Sequence, residues 1–159
     1  MNFSLKYLKR FLFCMLALPA VACALQSDLP SDPPGGLSVA WFHDDCAPWD
    51  GAATSLYLGV ERAKTVFHPD APYLHVALYS NTLRFPTGER IRFGVPGNQG
   101  HAQYCLKADD CVTGRAVSIE FSKIEANLLE GRLEVLFDRR PVIRGGFRAA
   151  RMPFRALCG

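Results

Sequence analysis

From Leu37 to Ala150, apolar and polar positions alternate with a period of two rather than 3.6, the mark of strands with one buried face. The alternation is cleanest in the last third. "RAVSIEFSK", residues 115–123, puts Val117, Ile119 and Phe121 on one face with Ser118 and Glu120 opposite. "LLEGRLEVLFD", residues 128–138, sends Leu129, Gly131, Leu133, Val135 and Phe137 inward and Glu130, Arg132 and Glu134 outward. "VIRGGFRAA", residues 142–150, sends Ile143, Gly145, Phe147 and Ala149 inward and Arg144 and Arg148 outward. Outward glutamates and arginines on neighbouring strands are placed to pair across the ladder. Further candidate strands are "LSVAWFH", "ATSLYLGV", "YLHVALYS", "RIRFGV" and "HAQYCLK". The spacers "FHPDAP", "FPTGE", "PGNQG", "KADD" and "DRRP" are rich in turn-forming residues. About eight short strands predict an all-β domain, an antiparallel β-sandwich or barrel. The alternative is an α+β domain with one short helix near Glu61, in "VERAKTV".

The first residues have a different pattern. "MNFSLKYLKR" is basic, "FLFCMLAL" is a short apolar run, and Pro19 leads into the small residues "AVACA". That order is a secretory signal, and the run is well short of the ~20 residues that span a bilayer. Residues 1–22 are read as the signal, cut before Cys23 or after Ala24. "AVAC" resembles a bacterial lipobox, which implies lipidation at Cys23. "ALQSDLPSDPPGG" has little to bury, so residues 23–36 read as a flexible linker and residues 37–159 as a single domain. The signal holds three of the 18 basic residues and none of the 15 acidic ones, so the chain from Cys23 onward is formally neutral. A nucleic-acid partner thereby loses its electrostatic argument.

Cys46, Cys105, Cys111 and Cys158 remain downstream, an even set in an export context. Four cysteines allow three pairings. Cys105 and Cys111 are close enough to close a local loop, which leaves Cys46 for Cys158. Charge supports this arrangement. Between Cys23 and Gly51 every charge is an aspartate, and after Asp138 every charge is an arginine.

Candidate chemistry concentrates in "WFHDDCAPWDG", residues 41–51. His43, Asp44, Asp45 and Asp50 are possible metal ligands, but without EF-hand spacing or a second nearby histidine. The competing reading has Asp44 and Asp45 capping a turn and Asp50-Gly51 forming one. His68, His75 and His101 sit in no metalloprotease motif, and no serine lies in G-x-S-x-G. His75 reads as a structural histidine and His101 as a candidate site residue. Trp41, Trp49, Tyr57, Tyr73, Tyr79 and Tyr104 could line a glycan- or peptide-binding face. Trp49, in a loop after Pro48, is the leading contact residue. Arg144 and Arg148 read as a solvated sheet face or as a surface for phosphate or acidic polysaccharide.

Signal, lipobox-like cysteine, linker and disulfide-bonded β-domain together give the chain a layout that resembles small bacterial envelope lipoproteins. The resemblance implies a periplasmic protein tethered to the outer membrane through a lipid anchor, with a soluble secreted form as the alternative. The expected function is a binding module with no cofactor or metal, contacting a protein or glycan partner in the envelope. An immunity or inhibitor protein is one form of it. The alternative is a small metal-dependent or hydrolytic envelope enzyme using His43, Asp45 and His101.

Overall fold

A computed structural model of the protein describes residues 34–61, 69–81, 84–95, 97–154 and 156–158. Cys23, the signal and most of the linker lie outside the described residues, as do His68 and most of the segment expected to hold the alternative helix.

The all-β expectation holds. Among the described residues, nine strands form one sheet: β1 (Val39–Cys46), β2 (Ala52–Gly59), β3 (Tyr73–Leu78), β4 (Arg90–Gly94), β5 (Gly100–Lys107), β6 (Asp110–Thr113), β7 (Ala116–Glu125), β8 (Leu128–Leu136) and β9 (Ile143–Arg151). Their spatial order is β4-β7-β8-β9-β1-β2-β3-β5-β6. The sheet curls strongly into a half-barrel rather than stacking as a two-sheet sandwich. It is also mixed. Every neighbouring pair is antiparallel except β1 and β9, where Ala40, Trp41 and Phe42 run parallel to Ala149, Ala150 and Arg151. That parallel seam joins two meanders, β1-β2-β3 and β7-β8-β9. β4 leaves the first half to become the outer edge of the second.

The alternation explains the curl. Phe42, Leu56, Leu58, Leu74, Val76, Val117, Ile119, Phe121, Leu133, Val135 and Phe147 all point to one side and form the main core inside it. Phe121 and Phe147 meet edge to face, with ring centroids 6.1 Å apart. Gly131 lies beneath them, and a Cβ there would come within 3.1 Å of the Phe147 ring. The interior positions of β7, β8 and β9 are those the sequence pattern assigns.

β2 departs from simple alternation, because both of its faces are buried. Its second face meets a smaller apolar cluster of Trp41, Tyr57 and Met152. Met152 reaches it because the chain leaves β9 across the outer side, with the Met152 amide donating to the Phe42 carbonyl. The two expected disulfides are present. Cys105–Cys111 ties β5 to β6, and Cys46–Cys158 ties the end of β1 to the C-terminal segment.

Candidate functional site

Because side chains alternate along β1, Trp41, His43 and Asp45 share the outer face while Phe42 enters the core. Registers across β2, β3 and β5 place Ser55 opposite His43, Tyr57 opposite Trp41, His75 opposite Tyr57, and His101 opposite Ala77. Polar side chains from four strands therefore meet on one patch.

Ser55 is the hub. Its hydroxyl lies 2.5 Å from Asp45 Oδ2 and 3.0 Å from His75 Nε2. A carboxylate can only accept, so the single hydroxyl proton goes to Asp45, and His75 Nε2–H donates to the serine oxygen. Asp45 Oδ1 accepts the Cys46 amide at 2.8 Å, so both its oxygens are bonded. Burial pushes the His75 imidazole down to about 3 from 6.5, and the neighbouring His101 adds to the effect while Asp45 opposes it. His75 is thus neutral, with its one proton on Nε2. Its ring stacks on Tyr57 at 4.3 Å, and Tyr57 stacks in turn on Trp41 at 5.6 Å. Burial, with help from the Asp45 charge, raises the Tyr57 phenol to about 12.

From His75 the contacts run outward to the rim. His101 meets the His75 ring edge-on at 4.9 Å, and its Nδ1 lies 3.1 Å from the Tyr79 hydroxyl. Burial also lowers the His101 imidazole, against the pull of Asp45. Tyr79 meets Trp49 edge to face at 5.1 Å. Trp49 sits in the β1–β2 turn, which is closed by hydrogen bonds from the Ala47 amide to the Gly51 carbonyl and from the Asp50 amide to the Ala47 carbonyl. Asp50 takes the left-handed region at φ 60°. The Trp49 indole folds back over Gly51, where a Cβ would stand 2.8 Å from Nε1. Even so, 57% of Trp49 is exposed.

His43 stands somewhat apart. Its ring stacks on Tyr57 and meets Phe154 edge-on at 5.2 Å. Its Nδ1 lies 2.8 Å from the Asp44 carbonyl and so carries the proton. Among the described residues, its Nε2 and Trp41 Nε1 are buried without a hydrogen-bond partner.

Several sequence expectations change here. Asp44 and Asp45 do not cap a turn. Both lie within β1, on opposite faces, and Asp44 pairs with Arg151 of the parallel neighbour β9. Only Asp50 is in the turn. His43, Asp45 and His101 share a face, but His101 bonds to Tyr79 and packs on His75 rather than meeting His43. Among the described residues, no group of three or more His, Cys, Asp or Glu side chains is placed to hold a metal ion. Arg144 and Arg148 lie on the outward face of β9, 3.7 Å and 3.3 Å from Glu134 and Glu130.

Sequence reasoning misses Ser55 as the hub and Tyr79 as the brace beside Trp49. Ser55 looks like an ordinary outward strand residue until three strands are in register. The chain Asp45–Ser55–His75 contains the residue types of a hydrolytic triad in the wrong order. Nucleophilic catalysis needs the histidine between serine and carboxylate. Here the serine is in the middle, and its exposure is 0%. The network fixes three strands and aims its outer end at Tyr79 and Trp49. No protein-family model, curated protein or solved structure matches the chain.

Proposed function

We propose that the chain is an exported binding module, tethered to the outer membrane through a lipidated Cys23, which engages a protein or glycan partner in the cell envelope. An immunity or inhibitor protein is its most concrete form. One observation carries the reading: Trp49 is held, exposed, by everything around it. Gly51 leaves room beneath the indole, Asp50 accepts a left-handed backbone, and Tyr79, bonded to His101, braces the ring. A ring left 57% exposed returns only part of its area to folding. Backbone strain kept in order to present one has the character of a pre-organised contact. The two disulfides fit an oxidising compartment outside the cytoplasm.

The hydrolytic alternative has less support, because Ser55 is sealed from any substrate and His101 turns to Tyr79 and His75 rather than to His43. The test is a photo-crosslinker placed at position 49 in living cells, with position 106 on β5 as the exposed control. A discrete adduct from position 49 alone is expected. Trp49→Ala should weaken partner capture by at least tenfold, the effect of losing roughly 1.4 kcal/mol of binding. Its unfolding midpoint should stay close to that of the wild type. Equal adducts from both positions, or full capture by Trp49→Ala, would refute the reading.

A further inference from the structure

His43 stands outside the Asp45–Ser55–His75 network, yet it is only 3% exposed. Its Nδ1–H donates to the Asp44 carbonyl, which fixes the tautomer. The Nε2 lone pair is left without a hydrogen-bond partner among the described residues. A buried acceptor left unmet is costly to the fold. An imidazole whose other nitrogen is held by a backbone carbonyl is also the usual form of a metal-ligating histidine.

What lies beside His43 is soft. Phe42 pairs with Arg151 across the parallel seam, and the Met152 amide donates to the Phe42 carbonyl. His43 and Met152 are therefore the next residues along two neighbouring segments about 4.8 Å apart. Met152 turns to the same outer face as His43, where it is 8% exposed and clusters with Trp41 and Tyr57. Rings complete the surroundings: Tyr57 stacks on His43 at 5.7 Å, and Phe154 meets it edge-on at 5.2 Å. Trp41 Nε1, also unpartnered among the described residues, is a donor and has nothing to offer a cation.

An imidazole and a thioether do not make a zinc site. Zinc takes four ligands, and among the described residues no three His, Cys, Asp or Glu side chains gather to supply them. The pair does suit copper(I), a soft ion that is satisfied by few ligands and favours thioether and imidazole. Charge agrees with a monovalent ion. Asp45 lies two residues further along the same face, its oxygens bonded to Ser55 and to the Cys46 amide, and among the described residues it forms no ion pair. Copper(I) brings one positive charge near that one carboxylate.

We propose that His43 Nε2 and the Met152 thioether are the ligands of a copper(I) site on the outer face of the sheet. The ion binds without a change of oxidation state. Met152 arrives with the segment that leaves β9, so the residue that completes the site also belongs to its cover, and entry of the ion needs that segment to lift. The site is separate from Trp49 and does not rest on the binding-module reading.

The test is an anaerobic, chloride-free titration of the full chain carrying Cys14→Ser and Cys23→Ser, so that every remaining cysteine is in a disulfide. Silver(I) is the redox-inert probe, read through the Met152 methyl and His43 ring resonances. Copper(I) is then competed against a chromophoric copper(I) chelator. One equivalent of silver should move both sets of resonances together, and zinc(II) should move neither. Met152→Leu and His43→Gln should each weaken silver binding by about a hundredfold, the upper range for losing even a supporting partner of a metal ligand. Met152→Leu conserves volume, so without metal it should unfold like the wild type. A Met152 methyl unmoved by silver, shifts centred on His75 and His101 instead, a chelator that removes all the copper(I), or wild-type affinity in Met152→Leu would overturn the proposal. Should His43→Gln fail to fold, Met152→Leu decides it alone.

Discussion

His75 shows how a residue can be unremarkable in sequence and demanding in structure. It sits neutral between Tyr57 and His101 while its Nε2–H serves Ser55. An unfolded chain would let it protonate near pH 6.5, whereas the folded protein holds it down to about 3. As pH falls through that window, the unfolded state takes up the proton first. Stability present above about pH 6.5 is therefore lost towards pH 3, by about 1 kcal/mol for each pH unit. His101, lowered in the same direction, adds to the loss. Urea unfolding between pH 7 and pH 4 should show a falling midpoint. His75→Gln keeps an N–H for Ser55 but cannot titrate, and its slope should be shallower; an unchanged slope would count against this account. The structural reading of His75 was available from its apolar strand. Its partners were not, because Asp45 and Ser55 are ten residues apart and meet His75 only after three strands are aligned. The exposed loop position of Trp49 is legible, because a tryptophan after Pro48 stands out without any strand register.

At the scale of strands, the alternation told most of the story. The inward sets of β7, β8 and β9 are as the pattern reads, and Arg144 and Arg148 do pair with glutamates across the ladder. β6 was missed, because Asp110–Thr113 is four residues long and its first residue belonged to a turn-like "KADD". The parallel contact of β1 with β9 was also invisible. Period-two patterning says which face is buried, not which strand lies alongside or in which direction. Gly131 shows how tightly the elements are fitted. On β8, a Cβ at this position would run into the Glu120 carbonyl oxygen of β7 and press on Phe121 and Phe147. Gly131→Ala should therefore destabilise the domain by about 1–3 kcal/mol, the usual penalty for overpacking a core. Denaturant unfolding measures it. A neutral or stabilising effect would mean that β7 and β8 can part at no cost.

The whole molecule is closed by its two ends. The acidic beginning and basic end of the domain meet at Asp44 and Arg151, next to the parallel seam of β1 and β9. Beyond that seam the chain crosses the outer face, sets Met152 against Trp41 and Phe154 against His43, and is fastened to β1 by Cys46–Cys158. This bridge closes a loop of 112 residues, whereas Cys105–Cys111 spans 6. In the chain-entropy model the long bridge stabilises by about 5 kcal/mol and the short one by about 2 kcal/mol. The two double serine variants should differ accordingly, with Cys46→Ser/Cys158→Ser the less stable in urea. They should differ in kind as well. Only loss of the long bridge frees the C-terminal segment, so only that variant should change the near-ultraviolet circular dichroism of the Trp41–Tyr57 stack before global unfolding. If the short bridge proved the more costly, or the aromatic signal were unmoved without Cys158, the C-terminal segment would be an appendage. The closure of the outer face would then rest on the β1–β9 seam alone.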